Sequence, residues 1–370
     1  MKKINILFVG YGTNLGGIET YIYNIVKKAN KEKFNFSFLI FKNNKKIVFY
    51  DELISMGCKI FEIEKRTKNY FQYLSDLKKV YSKNEFDIIH FNLMDMSAFE
   101  RITYANKYSN AKIIIQSHNG SFKFNKTKGI VSCVLDKIGK EKIKKIKFYR
   151  AACGRQAGTY MFGNKSFEIF YNGIDFNKFK YSKTFRKQIR EEFNIEDNRI
   201  VIGCVAALLP VKNHKFLIEV VKEIYKKSQN IILMLVGEGA LMNKLKEETK
   251  EYNLQNNVLF LGKREDTYKI YSAFDIYVMP SISEGLSISM CEAQINGLKC
   301  ITSDNVDRQT NISGNTFFWS LDDTPEKWAD RILKMDLKRD AKVLNNISPN
   351  FNSEYSYNKI YDYYVNIIHK

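Results

Sequence analysis

Residues 275–293 carry the pattern that decides the fold, and they read DIYVMPSISEGLSISMCEA. Their first five residues form a short, mostly apolar run that indicates a buried strand. Pro280 ends this run, and a helical pattern begins near Leu286. A strand, a loop and a helix in this order form the repeating unit of an α/β protein. Glu284, which lies in the loop, is therefore expected at the carboxyl edge of a parallel sheet.

The same alternation extends to both sides of this stretch. In the first part of the chain the predicted strands are 4–9, 34–41, 86–91 and 112–117, and the predicted helices are 17–28, 70–83 and 97–108. In the second part the predicted strands are 199–206, 230–236, 257–261, 275–279 and 299–302, and the helices are 214–227, 241–252, 266–273 and 287–296. This pattern predicts two parallel sheets covered by helices on both faces. We interpret the polar segment 172–198 as a linker and expect a final helix at 353–369.

Length and composition agree with two globular domains. Of the 370 residues, 45% are hydrophobic and 27% are charged, which excludes a disordered or fibrous chain. No apolar run approaches the ~20 residues of a spanning helix, and the N-terminus does not read as a signal peptide. Six cysteines without a CxxC pair indicate reduced thiols and a cytoplasmic location. The net charge of +19 favours polyanionic partners such as nucleic acid, anionic lipid or phosphorylated substrates.

A glycine-containing turn follows the first predicted strand, where residues 10–17 read GYGTNLGG. Leucine stands where a dinucleotide-binding fingerprint needs glycine, and no Gly-Lys-Ser/Thr of a phosphate-binding P-loop follows. Gly16 and Gly17 begin a predicted helix, so their N–H groups could approach an anion closely. An ordinary strand-to-helix turn is the alternative interpretation, and the sequence leaves both open.

The loops of the second array carry charged residues at the predicted carboxyl edge. The carboxylate of Glu284 suits sugar hydroxyls, and the N–H groups of residues 285–287 suit a phosphate. Glu292 follows eight residues later, about two helical turns away, so the two carboxylates could hold two parts of one ligand. Lys212, in the loop after the first strand of this array, is a natural partner for a diphosphate. The alternatives are helix capping by Glu284, and solvated positions for Glu292 and Lys212.

These motifs together resemble the retaining nucleotide-sugar glycosyltransferases of family 4, which have the GT-B fold. The resemblance rests on Glu-x7-Glu at Glu284 and Glu292, the glycine loop at 16–17 followed by glutamate, NGID at 172–175 and PVKNH at 210–214. A closer likeness to bacterial capsule and exopolysaccharide enzymes rests on SHNG at 117–120, on residues 151–163 and on EAQ at 292–294. The likeness covers nearly the whole chain.

The resemblance implies an α/β protein whose two Rossmann-like domains face each other across a cleft. Residues 1–175 would bind the acceptor and residues 176–351 the nucleotide-sugar, and the side on which the helix in 352–370 packs stays open. The donor would be a nucleotide-sugar, first of all a UDP-sugar, and the acceptor a lipid-linked saccharide. The resemblance assigns the catalytic residues Glu284, Lys212 and His118, and the donor-binding residues Gly16, Gly17, Arg264, Gly285, Leu286, Ser287 and Glu292.

The implied roles follow the chemistry of sugar transfer. Glu284 would hold the sugar hydroxyls, Glu292 the ribose and Lys212 the diphosphate, while His118 would lie near the sugar and Arg264 near the base. On the residues alone, His118 reads equally well as a structural histidine. In retaining enzymes of this family the leaving phosphate is thought to accept the acceptor's proton. No Asp-x-Asp tripeptide occurs in the chain, so we expect no metal and no other cofactor.

One departure from the family pattern leaves the activity open. The family usually carries a Gly-Arg pair five residues before the lysine, and Ala206-Ala207 stand there. Losing one cation that faces a desolvated charge is costly. A catalytically degenerate, nucleotide-sugar-binding partner subunit is therefore the alternative to an active enzyme. A nucleic-acid binder is a further alternative, although no known recognition motif supports it. The oligomeric state stays open.

A basic, amphipathic stretch lies between residues 123 and 150. Its cations are Lys123, Lys126, Lys128, Lys137, Lys140, Lys142, Lys144, Lys145, Lys147 and Arg150, and only two acids interrupt them. Apolar residues from Ile130 to Ile138 recur at helical spacing. Such a stretch suits the anionic inner face of a membrane, and a surface helix whose apolar face is core is the equally weighted alternative.

Overall fold

The computed structural model describes residues 2–14, 16–43, 45–118 and 129–369, without the side chains of 129 and 130. The chain divides into a first unit, Met1–Gly173 with Ser353–Lys370, and a second unit, Ile174–Asn352. The sequence predicted a domain boundary after residue 175, and the structure divides two residues earlier, after Gly173. Along the described residues, no helix is both long and apolar enough to cross a membrane.

The first unit is a parallel sheet with helices on both faces. Its strands are β1 (Ile4–Val9), β2 (Phe34–Phe41), β3 (Lys59–Ile63), β4 (Ile88–Leu93), β5 (Lys112–Ser117), β6 (Tyr149–Ala152) and β7 (Glu168–Ile169). Its helices are α1 (Gly17–Lys28), α2 (Tyr50–Ser55), α3 (Tyr70–Lys83), α4 (Glu100–Tyr108), α5 (Gly129–Ile143), α6 (Arg155–Phe162) and, from the end of the chain, α14 (Ser353–Ile368). In the described part the strand order is β3-β2-β1-β4-β5-β6-β7.

Alternation along β1 explains why this sheet carries a core on each face. Ile6 and Phe8 point into a cluster that includes residues of α1 and α14. Leu7 and Val9 point into a second cluster with residues of α3 and α4. Because successive side chains of a strand face opposite sides, an uninterrupted apolar run fits only a strand that is covered on both.

The second unit repeats this architecture. Its strands are β8 (Ile200–Val205), β9 (Ile231–Val236), β10 (Val258–Gly262), β11 (Ile276–Met279), β12 (Lys299–Ser303) and β13 (Thr316–Trp319). Its helices are α7 (Phe176–Phe179), α8 (Lys183–Glu192), α9 (His214–Lys227), α10 (Met242–Glu251), α11 (Thr267–Ile270), α12 (Ile288–Ile295) and α13 (Pro325–Leu333). Short 3₁₀ turns include Pro210–Lys212, Tyr271–Ala273 and Arg308–Thr310. Among the described strands the order is β10-β9-β8-β11-β12-β13.

Both sheets share one strand order, which fixes where loops converge. In each sheet the first strand lies beside the fourth, as β1 lies beside β4 and β8 beside β11. The order of connections reverses between these two strands, and ligands of doubly wound sheets bind at that carboxyl edge. The turn with Lys212 follows β8 and the loop with Glu284 follows β11, so both predicted residues flank the reversal.

The prediction of a linker at 172–198 was wrong. This segment contains α7 and α8, which both belong to the second unit. Asp175 caps α7, because its side chain accepts a hydrogen bond from the N–H of Lys178 at 3.0 Å. Arg190 of α8 is buried and bonds Asp275 just before β11, with Nη2 2.7 Å from Oδ2. Ion pairing with a distant residue therefore anchors a helix whose sequence is almost entirely polar.

Helix α14 completes the core of the first unit. Tyr357, Ile360, Tyr364 and Ile367 are buried against residues from β1, β2 and α1. The hydroxyl of Tyr364 lies 2.8 Å from Nδ1 of His90 on β4, and both side chains are fully buried. The side on which this helix packs, left open by the sequence, is thus the first unit.

Candidate active site

Lys212 and Glu284 contact each other at the carboxyl edge of the second sheet. The Nζ of Lys212 donates a hydrogen bond to Oε2 of Glu284. Their loops are joined as well, because the N–H of Ile282 donates to the carbonyl of Val211 at 2.8 Å. The two side chains keep 17% and 23% of their surface exposed. The ion pair is therefore held in place and can still be reached by a ligand.

The titratable side chains below Lys212, His214 and Cys204, are uncharged at neutral pH. His214, the first residue of α9, is buried, and its Nε2 lies 3.8 Å from Sγ of Cys204 on β8. Burial lowers the pKa of His214 to about 4, helped by the charge of Lys212. Burial raises the pKa of Cys204 to about 12, although Lys212 opposes this shift. Lys212 is consequently the charged group of this small cluster at pH 7.

A third loop, after β12, supports the loop of Glu284 from its other side. Glu284 and Val306 form a parallel bridge, and the N–H of Asp307 donates to the carbonyl of Glu284 at 3.1 Å. Oγ1 of Thr310 accepts from the N–H of Ser287 at 3.3 Å and lies 3.3 Å from the carbonyl of Gly285. The loop is thus fixed between its two neighbours.

These contacts correct part of the predicted phosphate-binding surface. Ser287 was expected to offer a free N–H, and that was wrong, because Thr310 already accepts it. Within the described chain, no acceptor binds the N–H groups of Gly285 and Leu286. A Cβ on Gly285 would meet nothing within 4 Å, so the backbone is open on that side. Helix α12 begins at Ile288, one residue after the start of the helix predicted at 287–296.

Glu292 is not a solvated helix residue. The hydroxyl of Tyr271 donates to its Oε2 at 2.8 Å and also lies 3.0 Å from the carbonyl of Ser289. Burial raises the pKa of Glu292 to about 7, while the hydrogen bond from Tyr271 and the charge of Lys178 oppose the shift. A carboxyl group in this state changes its charge near neutral pH.

Arg264 is held by two carboxylates. Its Nε and Nη2 donate to Asp266 at 2.8 and 2.9 Å, and its Nη1 donates to Glu192 at 2.6 Å. These bonds raise the pKa of the guanidinium above its already high value. The side chain is therefore fixed and locally neutralised, and its expected place near a nucleobase stays a prediction.

The glycine turn of the first unit is shaped by Glu19. Gly16 caps α1 with extended backbone, and a Cβ there would lie 2.8 Å from Oε2 of Glu19. A Cβ on Gly12 would lie 3.1 Å from Oε1 of the same carboxylate. Gly17 opens the helix beside the amide of Asn172. A carboxylate over this turn repels a phosphate and can accept a hydrogen bond from a hydroxyl. The turn with Gly16 and Gly17 therefore suits a ligand hydroxyl better than the anion that the sequence predicted.

His118 lies just after β5, in the first unit. Its Nε2 is 2.8 Å from Oδ1 of Asn92 at the end of β4, while Nδ2 of Asn92 lies 3.4 Å from the carbonyl of His90. Burial lowers the pKa of His118 to about 3, so its ring is neutral at pH 7. Because Asn92 uses Oδ1 as acceptor, Nε2 carries the proton and Nδ1 remains an acceptor. Residues 119 and 120 of the predicted SHNG motif lie outside the described residues.

Helix α5 turns its apolar stripe outward. Val131, Val134 and Ile138 are 71%, 49% and 41% exposed. The opposite side packs inward, where Oδ1 of the buried Asp136 accepts the N–H of Met96 at 2.7 Å. Val131, Val134 and Ile138 are therefore not part of the core, whereas Ile143 at the end of α5 is buried in the core of the first unit. Lys123, Lys126 and Lys128 of the basic stretch lie outside the described residues.

The sequence analysis missed four residues that lie at the carboxyl edges of the two sheets. These are Thr310 beside Ser287, Tyr271 beside Glu292, Asn92 beside His118, and Arg308, which begins the turn after β12. Asn92 could have been found by its place at the end of a buried strand. The others make contacts with residues at least 10 positions away, and nothing in their local pattern signals them. No group of three His, Cys, Asp or Glu side chains that could hold a metal ion occurs in the described part of the chain.

Comparison with known proteins finds similarity to glycosyltransferases. Residues 185–350 match the family model described as Glycosyl transferases group 1. A protein of Bacillus subtilis (strain 168) that bears the glycosyltransferase name EpsF is 29% identical over 349 residues, covering 89% of this chain and 87% of that protein. The UDP-Gal:alpha-D-GlcNAc-diphosphoundecaprenol alpha-1,3-galactosyltransferase of Escherichia coli is 27% identical, covering 80% of this chain and 79% of that enzyme.

Solved structures agree on the fold. Anabaena Alr3699/HepE in complex with UDP matches with a TM-score of 0.78 at 18% identity, covering 97% of this chain and 99% of that one. Sucrose-phosphate synthase from Thermosynechococcus elongatus matches with a TM-score of 0.74 at 15% identity, covering 99% and 100%. The predicted α/β class, with two Rossmann-like halves of the GT-B type, is confirmed.

Proposed function

We propose that this chain, which is a transferase of the glycosyl class, moves a sugar from a nucleotide-sugar to a lipid-linked saccharide in the synthesis of a bacterial surface polysaccharide. A UDP-sugar is the first donor to test. The observation that carries the proposal is the contact between Lys212 and Glu284 beside the free N–H groups of Gly285 and Leu286. This arrangement offers an acceptor for sugar hydroxyls next to donors for a phosphate.

The donor roles follow from these contacts. Glu284 would accept hydroxyl hydrogens of the sugar, and Lys212, already oriented by Glu284, would meet the diphosphate. The N–H groups of Gly285 and Leu286 would add fixed dipoles near α12. Glu292 would accept from the ribose hydroxyls when it is ionised. We further propose that transfer needs no metal, so excess EDTA should leave the rate unchanged.

Transfer would proceed with retention of the anomeric configuration. The bond from the anomeric carbon to the donor's phosphate oxygen breaks as the bond to the acceptor oxygen forms on the same face. The acceptor's proton passes to the departing phosphate, whose charge Lys212 and the backbone N–H groups stabilise. The transition state resembles an oxocarbenium ion, so the protein's main task is to stabilise the leaving group and position the acceptor.

The relatives support the choice of substrates. The name of the Escherichia coli relative specifies a UDP-galactose donor and a diphosphoundecaprenol-linked acceptor. Another matched relative from that species is named as an O-antigen biosynthesis glycosyltransferase, WclY. A lipid-linked acceptor would bring the protein to a membrane, and the first unit has a helix suited to this.

We propose that α5 docks on the anionic inner face of the cytoplasmic membrane. Its exposed stripe of Val131, Val134 and Ile138 is followed by the exposed Lys142 one turn later, and the exposed Lys145 lies just after the end of the helix. Apolar side chains that enter the headgroup region and lysines that meet anionic lipid are the two parts of an interfacial helix. Charge complementarity thus favours a lipid surface over a second protein.

Two assays test these proposals. Transfer from a panel of UDP- and GDP-sugars to undecaprenyl-diphosphate-linked saccharides is measured, and the anomeric configuration of the product is read by NMR. Donor turnover that yields an inverted product, or no turnover with any donor, would contradict the corresponding part of the proposal. Flotation with anionic vesicles should be lost in Val134→Glu and Ile138→Glu, while Ile54→Glu, at an exposed position on α2, should float like the wild type.

A second candidate is a nucleotide-sugar-binding partner subunit without activity. It is favoured by Ala207, which is exposed at the same sheet edge as Lys212 and carries no charge. Under this alternative the protein binds UDP-sugars without turnover, and Ala207→Arg restores transfer. Turnover by the wild-type protein would exclude it.

A further inference from the structure

The proposed donor site lacks positive charge. A diphosphate between a nucleoside and a sugar bears a negative charge on each phosphate, whereas Lys212 is already paired with Glu284. His214 below is neutral because burial lowers its pKa to about 4. Ala206 and Ala207, after β8, contribute none. A second cation from another loop is needed to balance the ligand.

Arg308 lies in the loop that supports Glu284. The loop of Glu284 is fixed to the Lys212 turn on one side, where Ile282 bonds Val211. On the other side the N–H of Asp307, the residue before Arg308, bonds the carbonyl of Glu284 at 3.1 Å. Lys212 lies in the turn after β8, and Arg308 lies in the turn after β12. Because β8 and β12 are the two neighbours of β11, these turns flank the loop of Glu284 on its two sides.

The side chain of Arg308 stacks on an aromatic ring and forms no ion pair within the described part of the chain. Its guanidinium stacks on Phe318 of β13, with the ring centroid 4.0 Å away. Among the described residues no carboxylate lies within ion-pair distance of it, whereas Arg264 bonds Glu192 and Asp266. The adjacent Asp307 accepts instead from the backbone and side-chain nitrogens of Gln309, at 2.9 and 3.0 Å. Stacking keeps a guanidinium pre-organised and leaves its N–H edge available.

We propose that Arg308 is the second cation of the donor site and binds the diphosphate opposite Lys212. The inference rests on the proposed function and adds to it a residue from a third loop. A planar guanidinium can donate two parallel hydrogen bonds to phosphate oxygens, which a point charge such as Lys212 cannot do. The acidic neighbours Glu284 and Asp307 are then balanced by two cations, and the bound phosphates meet donors from both sides.

The test compares ligands with and without phosphates. Dissociation constants for UDP and for uridine are measured by calorimetry in the wild type, Arg308→Gln and Arg308→Glu. We expect UDP binding to weaken at least tenfold in Arg308→Gln and further in Arg308→Glu, with uridine binding unchanged. Circular dichroism and the thermal midpoint show that the variants are folded.

Arg331→Gln is the matched control. Arg331 also lies over an aromatic ring of β13, Trp319, at 5.3 Å, but it pairs with Asp323. This variant should bind UDP like the wild type.

Four outcomes overturn the inference. UDP affinity within twofold of the wild type in Arg308→Gln would show that Arg308 does not bind the diphosphate. Equal losses for UDP and uridine, or equal UDP binding by Arg308→Gln and Arg308→Glu, would assign it a structural role. If the wild type does not bind UDP, the proposed UDP-sugar donor is wrong, and the proposed role of Arg308 is wrong with it.

Discussion

The two sheets share a strand order but differ in the chemistry of their carboxyl edges. The edge of the second unit carries paired charges, Lys212 with Glu284 and Arg264 with Glu192 and Asp266. The edge of the first unit carries a neutral histidine, His118, held by an amide. One architecture thus carries cations paired with carboxylates in the second unit, and a neutral histidine together with the carboxylate of Glu19 in the first unit. The comparison teaches that the strand order fixes where a ligand binds, while the loop residues decide which ligand it is.

The charged edge should dominate catalysis. Lys212→Gln removes the cation that faces the leaving group and leaves Glu284 without its partner. We expect kcat/KM to fall by about 10²–10³, the cost of losing one group that stabilises transition-state charge. Transfer kinetics with the best donor measure the effect. Lys215→Gln, at the exposed second residue of α9, is the control, and equal losses in both variants would refute the special role of Lys212.

His118, at the edge of the first unit, should matter for turnover and not for nucleotide binding. His118→Ala deletes the neutral ring in the first unit, while every charged group of the second unit remains. We expect kcat to fall about tenfold to a hundredfold, in the range of a single positioned hydrogen-bonding group, with the affinity for UDP unchanged. His369→Ala, at an exposed histidine, is the control. Weakened UDP binding in His118→Ala would contradict the prediction that the second unit alone determines the affinity for the nucleotide.

Glu292 should make donor binding depend on pH. Its pKa of about 7 means that it is largely protonated at pH 6 and ionised at pH 8. If the carboxylate binds the ribose hydroxyls, KM for the donor should rise a few-fold as the pH falls from 8 to 6. Glu292→Gln should give a flat profile over this range, and a profile that keeps the wild-type slope would assign the titration to another group.

The same residue should lower stability at high pH. The folded protein holds the proton of Glu292 more tightly than the unfolded chain does, because burial raises its pKa from 4.5 to about 7. The stabilisation that protonated Glu292 adds to the free energy of unfolding is therefore complete below pH 4.5 and is lost as the pH rises through 7. Glu292→Gln should melt a few degrees above the wild type at pH 8, and the gap should shrink toward pH 5. An unchanged gap in thermal scans would contradict this.

Sequence patterns predicted the elements whose apolar spacing is strong. Helix α9 was predicted at 214–227 and is found there, because its buried side is regular and its ends are polar. Strand β3 was missed, because an edge strand that reads KIFEI has little apolar signal. The linker prediction failed at α8, because the burial of Arg190 depends on Asp275, 85 residues away. Ion pairs between distant residues leave no local pattern.

The candidate site was predictable to the extent that it follows from topology. Lys212 and Glu284 were both predicted at the carboxyl edge of the second sheet. They are in contact because their loops follow β8 and β11, which the structure shows to be neighbours. The loop after β12 was not foreseen, since Thr310 and Arg308 acquire their positions through the bridge between Glu284 and Val306. The charge state of Glu292 likewise depends on Tyr271, which the sequence does not place beside it.

The return of α14 to the first unit has a consequence for biosynthesis. The first unit needs Tyr357, Ile360 and Tyr364 to cover one side of its sheet, and these residues are translated after the whole second unit. On the ribosome, the second unit, continuous in the chain, has all its residues before the first unit does. Until residues 353–368 emerge, Phe8, Phe36 and Ile22 lack part of their covering. The nascent chain is thus most exposed to aggregation and chaperone binding at the part that was made first.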